Sequence, residues 1–208
     1  MTDLPEGVVV GDDGKARCWW ATGDPLYRPY HDEEWGHPVD DDRRLFEKLC
    51  LEGFQSGLSW LTILRKRDAF RAAFADFQIE AVARFGARDV KRLLGDAGIV
   101  RHRGKIEAAI ANAKAAAELH ANGESLGELV WSFASDGPAR APGSLDDLPA
   151  ITPESTALSK EMKRRGFRFV GPTTAYATMQ ACGVVNDHVA GCWVREAVEA
   201  ERRWKPEL

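Results

Sequence analysis

The chain has 208 residues, 44% of them hydrophobic and 29% charged, with a formal net charge of −4. That length can bury one sizeable core, and that charged fraction argues against extensive disorder. The slight acidity excludes a nucleic-acid binder that works through overall positive charge, and no apolar run approaches the roughly 18 residues needed to span a bilayer.

Residues 1–16 are acidic and glycine-containing and are expected to form a disordered extension. They lack a basic region followed by an apolar core, so no signal peptide is expected and the protein reads as cytoplasmic, with its thiols reduced. Asp41 and Asp42 can begin a helix that carries Leu45, Phe46, Leu49, Cys50 and Phe54 inward at helical spacings. A second helix is predicted over 61–74 with Arg65-Lys66-Arg67 facing out, and a short one over 89–94, broken at Gly95 and Gly98. The alanine-rich run 104–117 favours helix strongly, and 126–133 is another short candidate. Pro138, Pro142, Gly143, Pro149 and Pro153 make 134–153 a loop. Thr152 can cap a helix with Pro153 at its first position, running to Gly166. Residues 167–170 read as extended, and Gly171-Pro172 opens a helix ending near Gly183. No alternating strand pattern is visible, so the fold class is all-α. Residues 196–208 form a charged tail, helical or frayed.

Four residues near the two ends stand out. Cys18 and His31 are spaced C-x12-H, and His188 and Cys192 are spaced H-x3-C. One turn of helix places residues i and i+4 on the same face. Two thiolates and two imidazoles complete a tetrahedral zinc shell with no open position, which argues for structure rather than for activating a water. The alternative is four ordinary buried side chains, since cysteine is among the most buried residue types. Cys50 and Cys182 lie in apolar stretches and read as core.

Basic clusters at 65–67, 101–105 and 163–168 either converge on one face to neutralise phosphates or are solvated helix faces. Trp19, Trp20, Tyr27, Tyr30, Trp35, Phe54 and Trp60 concentrate aromatic surface in one third of the chain. Each is a core candidate, and together they offer flat faces on which a purine can stack. Glu52 lies among them with apolar neighbours, where a carboxylate is costly to bury without a partner. It is the candidate acceptor for hydrogen bonds from a base. The chain has no CxxC, and the glycine spacing from Gly98 to Gly104 does not match a phosphate-binding loop.

The strings Cys18-Trp19-Trp20, Asp24-Pro25-Leu26-Tyr27, Tyr30-His31-Asp32-Glu33-Glu34-Trp35-Gly36 and Leu51-Glu52-Gly53 carry a family resemblance. So do Gln55-Ser56-Gly57-Leu58-Ser59-Trp60, Gly98-Ile99-Val100-Arg101-His102-Arg103-Gly104-Lys105, Arg165-Gly166-Phe167-Arg168-Phe169-Val170-Gly171 and Val185-Asn186-Asp187-His188. The chain resembles the 3-methyladenine DNA glycosylase I family in order and without large gaps.

The resemblance implies a helix-hairpin-helix glycosylase fold over 17–195, with the hairpin near 93–105. It implies one structural Zn2+ held by Cys18, His31, His188 and Cys192, tying the N- and C-terminal segments together. The base pocket falls on Trp20, Tyr27, Tyr30, Trp35 and Trp60, with Glu52 as the catalytic residue. Leu58 falls on the wedge that fills the gap left by a flipped nucleotide. Gly98, Arg101, Arg103 and Lys105 fall on the hairpin's DNA contacts. The implied activity is monofunctional: a monomer excises 3-methyladenine from alkylated double-stranded DNA, releasing the free base and leaving an abasic site. A zinc-stabilised module that binds alkylated DNA without cleaving it is the alternative. Phe54 stands where a polar residue is expected in the pocket lining, and Trp193 where a smaller residue is common.

Overall fold

Helix α2 (Asp42–Gln55) organises the molecule, because all ten residues from 45 to 54 are buried. A helix buried on every side, charged Glu47, Lys48 and Glu52 included, must be surrounded by other elements. Helices α3 (Trp60–Ala73), α6 (Arg103–Ala121), α7 (Leu126–Trp131) and α9 (Pro172–Ala181) surround it. The computed structural model describes residues 5–135 and 140–202. Among these, the remaining helices are α1 (Tyr27–Glu33), α4 (Ile79–Ala83), α5 (Ala87–Gly95), α8 (Pro153–Arg164) and α10 (Arg195–Arg202). No described helix is long and apolar enough to cross a membrane.

The helix ends follow local chemistry. The Asp41 carboxylate accepts from the Arg44 amide (2.8 Å), and Ser125 and Thr152 close reciprocal caps at the starts of α7 and α8. Pro153 opens α8 where its missing N–H costs nothing. The alanines of α6 let it lie close to α4. Phe54 packs 4.6 Å from Phe70 and 5.7 Å from Phe74, centroid to centroid. It is therefore core, and the expectation that it lines the substrate pocket is corrected.

Three other expectations change. Residues 5–16 are ordered, not a disordered extension: β1 (Val8–Val10) pairs antiparallel with β2 (Ala16–Cys18) in the register Val8↔Cys18. Three β-branched residues favour an extended chain, and Gly14 at φ +76° supplies the turn. The ribbon is anchored, since the Trp193 amide donates to the Ala16 carbonyl (2.8 Å) and Lys15 Nζ lies 3.5 Å from the Trp193 ring centre. Arg17, 1% exposed, is clamped between Asp13 and Asp32 at 2.7 Å each.

At the other end the body does not stop at 195. Within α10, Val198 is fully buried and Arg202 donates to the carbonyls of Gly183 and Val184 (both 2.8 Å). Residues 167–170 form no strand but a turn with Phe169 at φ +54°. Residues 1–4 of the extension, 136–139 of the proline-containing loop and 203–208 of the tail lie outside the described residues.

Candidate active site and metal centre

Cys18 ends β2, His31 lies on α1, and His188 and Cys192 come from the segment before α10. All four are buried, and their ligand atoms lie within 4.8 Å of one another. The expected helical turn from His188 to Cys192 is absent. Instead a tight turn closed by the Cys192 amide on the Val189 carbonyl (3.0 Å), with Gly191 at φ +83°, brings the two side chains together.

Sulfur–nitrogen separations are 3.4 Å for Cys192–His31, 3.6 Å for Cys192–His188 and 3.7 Å for Cys18–His188. A tetrahedral ion with Zn–S about 2.3 Å and Zn–N about 2.0 Å separates such ligands by roughly 3.5 Å. The outer nitrogen of each ring is satisfied, as metal-binding histidines require. His31 Nδ1 pairs with Asp32 Oδ1 at 2.8 Å, and His188 Nε2 donates to the Trp35 carbonyl at 3.0 Å. Burial pushes the His188 imidazole toward its neutral form. The Cys192 thiol is pulled down by hydrogen bonds from Cys18 and both imidazoles, while Cys18 is pushed up by the neighbouring sulfur and burial. Two sulfurs contending for one negative charge fit a buried cation.

The Cys–His cluster abuts the aromatic cavity. The Trp35 ring lies 4.7 Å from His188, and the Trp20 ring lies 5.1 Å from His31. Gly36, at φ +83°, admits this approach, because a Cβ there would stand 2.9 Å from His188 Nε2.

The structure brings all five predicted aromatics and Glu52 to one cavity of about 410 Å³, a size typical of small-molecule sites. Trp20 lies in the short turn after β2, Tyr27 and Tyr30 on α1, Trp35 just beyond it, Glu52 on α2, and Trp60 at the first turn of α3. Edge contacts fix the walls: Trp20 is 5.6 Å from Tyr27 and 5.2 Å from Trp35, and Tyr30 is 5.3 Å from Trp60. The Tyr27 hydroxyl accepts from the Leu61 amide (3.1 Å), tying α1 to α3.

Two of the lining residues carry a polar group without a hydrogen bond to the protein. Trp60 Nε1 is the one buried side-chain polar atom without a hydrogen bond among the described residues. Glu52, 7% exposed, has its carboxyl pushed up to about 8 by burial, with the Lys48 ammonium one turn earlier opposing the rise. A buried acid free of hydrogen bonds at the wall of an aromatic slot suits a flat heterocycle with hydrogen-bonding edges.

Trp19, one of the aromatic set offered for stacking, also lines the cavity, and sequence reasoning missed Gln55, Leu148, Ala177 and Gln180 in its wall. Gln55 is three positions after Glu52 on α2, so helical spacing could have found it. The other side of the wall comes from distant segments that share no pattern with the aromatic third.

The predicted DNA-side residues separate. Leu58 is 43% exposed on the turn between α2 and α3, where Gly57 adopts φ +80°. Arg101 and Arg103 are exposed at the entrance to α6, with Arg103 3.3 Å from Glu107. Gly98 lies in the α5–α6 connection, its amide already donating to Asp96 (2.8 Å). Lys105 is not a surface contact. It is 8% exposed and its ammonium donates to the carbonyls of Phe54 (3.0 Å) and Ser56 (2.5 Å), bracing the end of α2 and the Leu58 turn.

Comparison with known proteins agrees with this geometry. The methyladenine glycosylase family profile matches residues 20–196. The chain is 52% identical over 177 residues to DNA-3-methyladenine glycosylase 1 of Escherichia coli K12, covering 85% of this chain and 95% of that protein. A crystal structure of 3-methyladenine DNA glycosylase I superposes with a TM-score of 0.82 at 53% identity, covering 85% of this chain and 98% of that one. A tyrosine-to-phenylalanine variant of such an enzyme, solved in complex with 3-methyladenine, superposes at 0.80 and 37% identity, covering 86% and 97% of the two chains. The chain belongs to the methyladenine glycosylase family.

Proposed function

We propose that this chain hydrolyses the N-glycosidic bond of 3-methyladenine in alkylated double-stranded DNA, releasing the free base and leaving an abasic site. The observation that carries this reading is a buried Glu52 carboxyl set among five aromatic side chains that line one cavity.

Methylation at N3 makes adenine cationic, so its glycosidic bond is weakened and the base leaves neutral. The protein must flip the nucleotide out, stack the ring and hold its edge. Tyr30 and Trp60 supply stacking faces that favour a cation over neutral adenine. Adenine's outer edge carries an amino donor, which Glu52 accepts. The positive ring also lowers the cost of ionising Glu52 in its buried setting. Water then attacks C1′ as positive charge passes from base to sugar, as in other glycoside cleavages. Glu52 is the one carboxylate and no lysine is present among the described residues lining the cavity. That composition supports hydrolysis without a Schiff-base intermediate.

Zn2+ on Cys18, His31, His188 and Cys192 would supply a closed structural joint between the chain ends. Leu58 serves as the apolar wedge, and the exposed Arg101 and Arg103 at the start of α6 meet phosphates, near Gly98 in the hairpin turn. The enzyme works as a monomer in the cytoplasm.

Chromatography of bases released from methylated duplex DNA tests the proposal. Release of 3-methyladenine with 7-methylguanine left in place is the expected result. No release by folded, metal-loaded protein would establish a lesion-binding module that does not cleave.

A further inference from the structure

Phe169 has no role in the pocket or the metal centre, yet its environment is unusual. It is a bulky aromatic at φ +54°, 44% exposed, in the turn between α8 and α9. Left-handed backbone at such a residue is costly, and strain of this kind persists where the surrounding structure enforces it. Here Asn112, buried on α6, enforces it. Asn112 Oδ1 accepts from the Arg168 amide (2.6 Å) and Asn112 Nδ2 donates to the Arg168 carbonyl (3.1 Å). The flanking side chains Phe167 and Val170 are buried, so the turn is pinned on both sides while Phe169 itself points outward.

Its neighbours are the start of α6, which carries proposed DNA contacts, and the end of α2. A Cβ on Gly104, in the first turn of α6, would lie 3.8 Å from the Phe169 ring, and one on Gly53, near the end of α2, would lie 3.8 Å from the Phe169 Cβ. The His102 ring is 6.4 Å away, edge to face. Arg101, Arg103 and Arg168, all exposed, adjoin in sequence His102, Gly104 and Phe169 itself. An exposed aromatic set among arginines matches the stacking-plus-phosphate chemistry by which proteins hold nucleic acid.

We propose that Phe169 is a second apolar DNA contact, presented by a strained turn beside the hairpin and packed against the sugar–base edge of the duplex. The proposal rests on the glycosylase reading above and adds to it a residue that reads DNA rather than the flipped base.

The test compares wild type with Phe169→Gly, Phe169→Ala and Phe169→Leu. Affinity is measured by anisotropy on a duplex bearing a tetrahydrofuran abasic analogue, free 3-methyladenine binding by tryptophan fluorescence, and stability by thermal melting. Gly and Ala variants should lose about five- to hundredfold in DNA affinity, the range for removing one aromatic stack, with base binding unchanged. Leu should retain part of the affinity. The Gly variant should melt at or above the wild-type temperature, because glycine accepts positive φ without strain. Unchanged DNA affinity in the Gly and Ala variants would overturn the proposal, as would a lowered melting temperature with no change in DNA binding. Wild-type protein that releases no 3-methyladenine would instead overturn the glycosylase reading, and it would do so whatever Phe169 binds.

Discussion

The metal cluster and the base pocket share a wall, and they differ in how their polar groups are satisfied. Around Cys18, His31, His188 and Cys192 each imidazole has its outer nitrogen bonded, and Asp32 is held in turn by Arg17 and Trp193. Across that wall, Glu52 and Trp60 Nε1 have no hydrogen bond to the protein. A closed network stabilises a fold, whereas unpaired buried groups lower stability until a ligand completes them. The difference assigns structure to one region and recognition to the other, although both are built from the same aromatic third of the chain.

Breaking the metal cluster should have the largest effect. His188→Ala leaves an incomplete shell and removes the donor to the Trp35 carbonyl, so the loss should reach several kcal/mol, in line with structural metal sites. Melting temperature and bound metal, measured together, should both fall. A variant that keeps its melting temperature without metal would show that the cluster is not the joint between the chain ends.

The pocket should show the opposite sign. The folded-state Glu52 pKa of about 8 lies above its ordinary 4.5, so between those values the native state holds a proton that the unfolded chain has lost. Stability from this group is therefore fully present below about pH 4.5 and is lost as pH rises toward 8. Relative to Glu52→Gln, wild type should lose on the order of 4 kcal/mol across that window, at about 1.4 kcal/mol per pKa unit. Urea titrations of both proteins at pH 5 and pH 8 check this, and parallel pH dependences would contradict it.

A smaller effect isolates the Trp60 donor. Trp60→Phe retains an aromatic face but deletes the orphaned N–H. It should weaken binding of free 3-methyladenine by about 1 kcal/mol, the usual worth of one hydrogen bond, with no loss of melting temperature. Equal affinity would mean that the N–H makes no bond to the base.

The smallest effect concerns Lys48, which stands one turn before Glu52 and 5.7 Å from the Tyr30 ring. Glu34, Glu47, Arg44, Arg67 and Arg71 line the small cavity on the same side of Tyr30 and Trp60, and two ion pairs, Arg67–Glu34 and Arg71–Glu47 (2.8 and 2.7 Å), occupy four of them. Removing the ammonium in Lys48→Met takes away charge that favours the Glu52 carboxylate. The acid limb of the excision profile should move upward, and superimposable profiles would show that Lys48 does not act on Glu52.

Much of this architecture was legible because it depends on local signals. The apolar spacing from Leu45 to Phe54, the alanines of α6 and the Thr152-Pro153 cap each locate a helix without tertiary information. Other features depend on contacts that no local pattern encodes. Strands of three residues leave no periodicity, and the ribbon is held by Trp193 from the far end of the chain. Lys105 reads as surface charge within a basic string, yet α2 ends where its carbonyls need a donor. The spacing of His188 and Cys192 correctly predicted that they meet, while the left-handed Gly191 makes the connection a turn instead of a helix. Gln180 and Ala177 reach the pocket from α9 across α2, which only the packed fold reveals.

The central claim is that Glu52 serves the reaction and not the fold. The most direct test measures single-turnover release of 3-methyladenine from methylated duplex DNA by wild type and Glu52→Gln, with metal content and melting temperature taken on the same samples. Release should fall on the order of ten- to hundredfold in the variant, the scale of one charged hydrogen bond, with metal retained and the melting temperature unchanged or higher at pH 8. Equal release rates, or a variant that unfolds or sheds its metal, would contradict this claim.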